Sequence, residues 1–188
     1  MAFRGMMARL GSGGARVETV LDRPETTPGG AVTGTVHVTG GSVAQDVTEV
    51  RVALQATVEV ERGDSSWREE AVFGTAAVAG AGRLEPGQQY QVPFRLPVPW
   101  QCPITAIDGW HLRGMRVGLR TRVDVPGSVD PGDLDPVTVL PLPVQRTVLH
   151  ALDGLGFAFR SADVEKGRLA GSDLPFYQEV EFAPPSSL

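Results

Sequence analysis

Apolar and polar residues alternate most clearly between positions 49 and 61. The even positions carry apolar side chains such as Val52 and Leu54, whereas the odd positions carry mainly charged and polar ones such as Arg51 and Glu59. A period of two over this length predicts a long β-strand with one face in a core and the other in solvent.

The same alternation, clear or weak, recurs elsewhere along the chain. The further strand candidates are residues 15–22, 31–39, 67–78, 90–96, 115–125 and 137–142. The 23 glycines and 15 prolines cluster between these segments, where they predict tight turns. About seven strands joined by turns at this spacing are typical of an antiparallel sandwich. We therefore predict an all-β fold, an immunoglobulin-type antiparallel β-sandwich.

The period changes after residue 142. Val144, Val148, Leu152 and Leu155 recur at helical spacing, and Gly156 can end a helix there. Two more strand candidates follow at the C-terminal end of the chain. We accordingly divide the chain into four parts: an N-terminal segment (1–14), a β-sandwich (15–142), a linker helix (143–156) and the beginning of a second, truncated sandwich (157–188).

The two C-terminal strand candidates need a surface against which to pack. Two strands do not form a stable domain by themselves, and their apolar side chains and open edges need a partner surface. They can pack on the first sandwich or on a second copy of the chain, so a homodimer is one expected arrangement.

Composition excludes several classes of protein. The chain of 188 residues has a formal net charge of -5, which argues against a nucleic-acid-binding protein. It contains no run of roughly 20 apolar residues, which argues against an integral membrane protein. Arg4 and Arg9 interrupt the N-terminal apolar residues, so we expect no signal peptide and a cytoplasmic location. The single cysteine, Cys102, excludes an internal disulfide.

Candidate catalytic residues are few. His37, His111 and His150 lie far apart in the sequence and outside any hydrolase or metalloprotease motif. Cys102 precedes a proline and has no nearby base, so we interpret it as a buried, inert thiol. We predict that the protein is not an enzyme and has no cofactor. A thiol hydrolase that uses Cys102 is the alternative.

An acidic segment is the best candidate for a cation site. Asp130, Asp133 and Asp135, with Asp124 nearby, offer carboxylate oxygens of the kind that calcium prefers. The spacing and the distal glutamate of an EF-hand are missing, and aspartates beside proline and glycine commonly accept backbone N–H groups in turns. We therefore predict a structural loop, and keep a metal-assisted hydrolase as an alternative.

A basic stripe is the best candidate for a binding surface. Arg116, Arg120 and Arg122 fall on one face of the strand predicted at 115–125. Such a stripe can meet an acidic segment of a partner protein. The alternative is that these arginines pair with Glu59 and Glu61 of a neighbouring strand.

Three tryptophans keep a different class of function open. Trp67, Trp100 and Trp110 would suit a carbohydrate-binding sandwich if they lie in loops. The missing export signal argues against that alternative.

Taken in order along the chain, several short segments resemble the bacterial sporulation-control proteins. No single segment is specific, and the ordered combination over nearly the whole chain carries the resemblance. The segments are residues 3–11, 15–21, 28–30, 36–41, 84–87, 93–97, 129–135, 151–157 and 174–182.

This resemblance implies an arrestin-like fold and a regulatory role. Members of the family look like two successive sandwiches, whereas this chain ends soon after the second would begin. The resemblance therefore implies a non-enzymatic cytoplasmic scaffold that binds other proteins, and it names no particular partner.

Overall fold

Two β-sheets hold most of the chain in the computed structural model, which describes residues 14–127 and 132–185 and the backbone of Ala8–Arg9. The strands are β1 (Ala8–Arg9), β2 (Arg16–Leu21), β3 (Glu25–Thr26), β4 (Ala31–Thr39), β5 (Gln45–Val47), β6 (Glu49–Arg62), β7 (Ser65–Ala79), β8 (Gly82–Leu84), β9 (Gln89–Pro97), β10 (Ala106–Ile107), β11 (Trp110–His111), β12 (Val117–Asp124), β13 (Gly132–Pro136), β14 (Thr138–Val139), β15 (Ala158–Lys166) and β16 (Phe176–Ala183). The described part also contains a helix, α1 (Pro143–Gly154).

The two sheets differ in size. The smaller one has the antiparallel order β1-β2-β4-β9. The larger one has the order β13-β12-β6-β15-β16, and β7 pairs with the opposite edge of β6. Both sheets contribute to one hydrophobic core, as expected for a sandwich. The predicted all-β fold with one short helix is therefore confirmed.

Side chains alternate between core and surface along the main strands, as the sequence predicts. In β4 the core side chains are Val32, Val36 and Val38, and in β6 they include Val52 and Leu54. The odd-numbered residues of β6 face away from the core. We call the surface formed by these and the neighbouring outward side chains of the larger sheet the outer face.

The two C-terminal strands extend the larger sheet. β15 pairs with β16 in antiparallel fashion and with β6 in parallel fashion, with Glu165 opposite Glu59. Phe176 is 1% exposed and packs edge-on against Phe73 of β7, with ring centroids 5.2 Å apart. Both strands thus share the core of the first sandwich. The assignment of residues 157–188 to a second lobe stays a prediction.

Helix α1 leads from the sandwich to β15. It ends at Gly154, and Gly156 adopts a positive φ of 85° just beyond it, as predicted for a helix C-terminus. None of its residues is fully buried, and Val144 and Val148 are exposed. No helix in the described residues is long and apolar enough to cross a membrane.

Candidate functional site

The predicted basic stripe lies on the outer face. Arg120 and Arg122 are in β12, where Val117, Leu119 and Val123 point into the core and the arginines therefore point outward. Arg116 is exposed and precedes the strand by one residue. The alternation predicted for this segment is confirmed.

A further arginine joins this group through strand pairing. β6 and β12 are antiparallel, and their register sets Arg51 directly opposite Arg122 and Ala53 opposite Arg120. Arg51, Arg120 and Arg122 line one shallow cavity of about 170 Å³, together with Ala53 and Val72. Ala53 leaves room for this cavity because its side chain is a single methyl group. We call the three arginines the basic pole.

Arg116 is part of a different depression on the same face. It lines a cavity of about 380 Å³ with Gln55, Thr57, Glu70 and Leu134. The structure therefore brings two of the three predicted arginines together and places the third nearer the middle of β6.

The arginines of the basic pole contact polar groups of β6 and β12. Arg120 donates to Gln55 Oε1 at 2.9 Å, and Arg51 is ion-paired with Glu49. Arg122 Nε is 3.9 Å from Asp124 Oδ1. The side chains of Arg51 and Arg122 remain 47% exposed, so their charges face solvent.

Carboxylates collect at the opposite end of the outer face. We call this group the acidic pole: Glu59, Glu61, Asp163, Glu165, Glu179 and Glu181. Its members come from three adjacent strands, and the register places Asp163 opposite Glu179. Positive groups are fewer there, with Arg68 opposite Glu59 on β7 and Arg160 3.9 Å from Glu181.

The crowding of carboxylates has an electrostatic consequence. Partial burial and then the charges of Glu179 and Glu59 raise the pKa of Asp163 above its ordinary value. Burial, followed by the charge of Asp163, likewise raises the pKa of Glu165. Asp163 Oδ1 is buried and has no hydrogen-bond partner within the described residues. The acidic pole is therefore electrostatically strained in the isolated chain.

The sequence did not identify the acidic pole or Arg51 as parts of a site. Alternation alone places Arg51 and Glu59 on the polar side of β6, but it does not say which strands lie beside them. The groups arise from the pairing of β6 with β12 and β15, which connects residues more than 60 positions apart.

Asp133 and Asp135 belong to strand β13 rather than to the predicted loop. Their side chains point between the sheets and are only 5% and 7% exposed. Asp133 accepts hydrogen bonds from the backbone N–H groups of Thr19 at 3.0 Å and Leu134 at 2.9 Å. Asp133 and Asp135 point inward and Leu134 between them points outward, as in a regular strand. The strand tolerates the buried carboxylate of Asp133 because the two N–H donors compensate for its lost hydration. Asp130 lies outside the described residues.

The pKa of Asp135 is strongly shifted. Burial raises it to about 7, and the charges of Asp133 and Glu18 and a hydrogen bond with Asp133 add to the effect. Asp135 Oδ2 is buried without a hydrogen-bond partner among the described residues. Within the same residues, no three carboxylate, imidazole or thiol groups converge as metal ligands. These two aspartates therefore form a buried polar contact at the seam between the sheets.

The candidate catalytic residues lie on separate elements. Cys102 is 3% exposed, and burial raises the pKa of its thiol to about 12, so little thiolate exists near neutral pH. His37 is in β4, and His111 is in β11. His150 is in α1 and contacts Asp108 Oδ2 at 2.7 Å. In the part of the chain that the structure describes, no histidine forms a hydrogen bond with Cys102.

The tryptophans occupy different surroundings. Trp110 is 81% exposed at the β10–β11 hairpin, and Trp67 donates to Glu69 on β7. Trp100 lies on the rim of a cavity of about 450 Å³ between α1 and β16, which is lined mainly by apolar side chains. The three rings do not line one common cavity among those described.

Three comparisons with known proteins agree with one another. The Spo0M family model, described as SpoOM protein, matches residues 3–188. The chain is 34% identical over 184 residues to the sporulation-control protein Spo0M of Bacillus subtilis, which covers 98% of this chain and 69% of that relative. The crystal structure of Spo0M from Bacillus subtilis matches with a TM-score of 0.83 at 34% identity, covering 93% of this chain and 69% of that one.

Proposed function

The chain belongs to the Spo0M family, and we propose that it is a non-enzymatic regulator that binds an acidic segment of a partner protein through its basic pole. The relationship to a sporulation-control protein supports the regulatory role. The basic pole supports the mode of action, because three guanidinium groups from two paired strands line one shallow cavity.

The geometry of the basic pole suits carboxylates. Guanidinium groups present several N–H donors in a plane, which matches the two oxygens of a carboxylate. Arg51 and Arg122 are held side by side by strand pairing, and each has a carboxylate of its own strand, Glu49 or Asp124, close by. Both side chains are still 47% exposed, so an acidic side chain that enters the cavity can contact the two guanidinium groups together. This is the single observation that carries the proposal.

The other candidate functions have less support in the structure. The buried thiol of Cys102 is a poor nucleophile, which disfavours a thiol hydrolase. Asp133 accepts a hydrogen bond from the Thr19 N–H of the other sheet, and burial raises the pKa of Asp135 to about 7, which together disfavour a catalytic metal site at the predicted loop. In keeping with a regulator of this family, we expect the protein to work in the cytoplasm.

Binding of a fluorescein-labelled deca-glutamate peptide, followed by anisotropy, tests the proposal. The double variant Arg51→Glu, Arg122→Glu exchanges two attractive contacts for two repulsive ones. At roughly 0.5 kcal/mol per exposed contact, this amounts to about 2 kcal/mol, or a loss of affinity of roughly 10- to 30-fold.

The matched control is Arg95→Glu, an exposed arginine on strand β9 of the other sheet. We expect this variant to bind the peptide as the wild type does. Circular dichroism and thermal unfolding establish that each variant is folded. Equal binding by the wild type and by the folded double variant would refute a role for the basic pole, as would the absence of any binding by the wild type.

A further inference from the structure

The larger cavity of the outer face differs in character from the basic pole. Its volume is about 380 Å³, and β12, β6, β7 and β13 all contribute to it. The lining combines a carboxylate, Glu70, a guanidinium group, Arg116, and an apolar side chain, Leu134. Its size falls within the usual range for small-molecule pockets, roughly 300–1,000 Å³. We call it the central cavity.

Strand pairing explains why the central cavity exists. Thr57 of β6 lies opposite Glu70 of β7, and its backbone N–H donates to the carbonyl oxygen of Arg116 at 3.2 Å. Arg116 and Glu70 therefore flank a short side chain in one row across the sheet, with their backbones roughly 10 Å apart. In the next row, Gly118 lies opposite Gln55 and has no side chain. The threonine and the glycine leave the space between the two longer side chains open.

The carboxylate of Glu70 is held in one orientation. Gln55 Nε2 donates to Glu70 Oε2, and Thr57 Oγ1 donates to Glu70 Oε1, both at 3.1 Å. Gln55 is only 8% exposed, and its Oε1 accepts a hydrogen bond from Arg120 at 2.9 Å, so the amide is itself fixed. Two neutral donors orient the carboxylate but do not compensate its charge, and each oxygen can accept a further hydrogen bond. Glu70 is therefore a pre-oriented acceptor for a cationic group.

The other walls of the cavity are basic and apolar. Arg116 is exposed, and within the described residues neither Arg116 nor Glu70 belongs to an ion pair. The two opposite charges thus flank the cavity without a direct contact. Leu134 is 52% exposed and lies over Gly118, where its Cδ1 is 2.9 Å from the position of an added Cβ atom. The cavity therefore offers one acidic, one basic and one apolar contact.

We propose that the central cavity binds a free α-amino acid with an apolar side chain. The ammonium group of the ligand contacts Glu70, its carboxylate contacts Arg116, and its side chain packs on Leu134. Guanidinium groups suit carboxylates because their N–H donors match the two oxygens. A zwitterion compensates both charges of the cavity at once, whereas an acid or an amine compensates only one. The proposal goes beyond the proposed function, because it assigns a different cavity and a small-molecule ligand.

Titration of the ¹⁵N-labelled protein with L-leucine, followed by two-dimensional NMR, tests the proposal. We expect shifts that saturate below ~10 mM, since a few partly exposed contacts give modest affinity. The largest shifts should fall at the backbone amide of Gly118 and the side-chain amide of Gln55. Shifts confined to other parts of the protein, or the absence of saturable shifts, would overturn the proposal.

Two analogues of leucine test the two charged contacts. L-Leucinamide lacks the carboxylate and isocaproate lacks the ammonium group. Each should bind roughly tenfold more weakly than L-leucine or worse, as expected for the loss of a charge-assisted hydrogen bond. Analogues that bind as tightly as leucine would show that the cavity does not recognise a zwitterion.

Variants matched to the analogues identify the contacting residues. Glu70→Gln should weaken L-leucine binding roughly tenfold or more but should not weaken isocaproate binding, because isocaproate has no ammonium group. Arg116→Gln should likewise weaken L-leucine binding but not L-leucinamide binding. A variant that weakens the amino acid and its matched analogue by the same factor would refute the contact assigned to that residue.

The apolar contact and the controls complete the design. Leu134→Ala should reduce the preference for L-leucine over glycine, and an unchanged preference would contradict packing on Leu134. Glu25→Gln, at an exposed position of β3 in a different sheet, is the matched control for Glu70→Gln and should bind L-leucine as the wild type does. Circular dichroism establishes that each variant is folded.

The amino-acid site and the proposed function can fail separately. A protein that binds deca-glutamate at the basic pole but gives no saturable response to L-leucine would refute the amino-acid site alone. A protein that binds L-leucine in the central cavity but does not bind deca-glutamate would refute the proposed function alone.

Discussion

Replacing Asp135 by Asn should stabilise the protein at alkaline pH and leave it nearly unchanged at acidic pH. The carboxyl group is 7% exposed, and Oδ2 has no hydrogen-bond partner within the described residues. Burial, followed by the charges of Asp133 and Glu18, raises the pKa of Asp135 from 3.8 to about 7. An asparagine has nearly the same shape, carries no charge, and can donate to Asp133 as the protonated acid does.

The sign of the effect follows from proton linkage. Because the folded state holds the proton more tightly than the unfolded state, the contribution of Asp135 to stability is fully present below pH 3.8 and is lost as the pH rises towards about 7. The difference between the two pKa values corresponds to at most about 4 kcal/mol in the free energy of unfolding. Local relaxation between the two sheets reduces this figure. We therefore expect Asp135→Asn to raise the free energy of unfolding by about 2–4 kcal/mol above pH 7, where the wild-type carboxyl group is ionised in both states.

Urea unfolding followed by circular dichroism, at about pH 4 and about pH 8.5, measures this gain. Asp64→Asn, in the exposed turn between β6 and β7, is the matched control and should change stability little at either pH. A gain for Asp135→Asn that is equal at both pH values would contradict a titrating buried carboxyl group. A loss of stability at alkaline pH would show that the ionised form of Asp135 is the one that the fold accommodates.

Two further predictions concern other parts of the molecule. Gly29→Ala should destabilise the protein by more than about 2 kcal/mol in urea unfolding, because φ is +72° and a Cβ atom there would lie 2.6 Å from the Trp100 ring. Gly87→Ala, at φ +69° with open space around it, should cost only about 1–2 kcal/mol, and equal losses would argue against the contact with Trp100. The Cys102 thiol should react with Ellman's reagent only after unfolding, because it is buried and its pKa is about 12, and rapid labelling of the folded protein would disprove this.

The strands with regular alternation could be predicted from the sequence. The segments at 31–39 and 49–61 alternate because one side of each strand lies in the core and the other in solvent, and the structure places strands at Ala31–Thr39 and Glu49–Arg62. The helix was also predictable, because Val144 and Val148 recur at helical spacing before Gly156.

The composition of the outer face could not be predicted in the same way. The pattern of one strand shows which side chains share its polar side, but it does not specify the register with another strand. Arg51 and Arg122 become neighbours only through the pairing of β6 with β12, and Glu59 and Glu165 only through the parallel pairing of β6 with β15. A parallel contact between strands so distant in sequence leaves no local signal.

The position of Asp133 and Asp135 in a strand could not be predicted from the sequence for a different reason. Aspartates beside proline and glycine are typical of turns, so the segment favoured a loop. In the structure they point inward from β13, because Thr19 and Leu134 donate to Asp133 and because Asp135 can keep its proton near neutral pH. Tertiary hydrogen bonds thus override the local preference.

The most direct test of the central claim is a titration of the ¹⁵N-labelled protein with deca-glutamate, followed by two-dimensional NMR. Our account predicts that the largest shifts of backbone amide signals fall at Arg51, Arg120 and Arg122 and at their neighbours on β6 and β12. Shifts concentrated at the cavity between α1 and β16, or the absence of specific shifts while the protein remains folded, would contradict the assignment of the basic pole as the binding site.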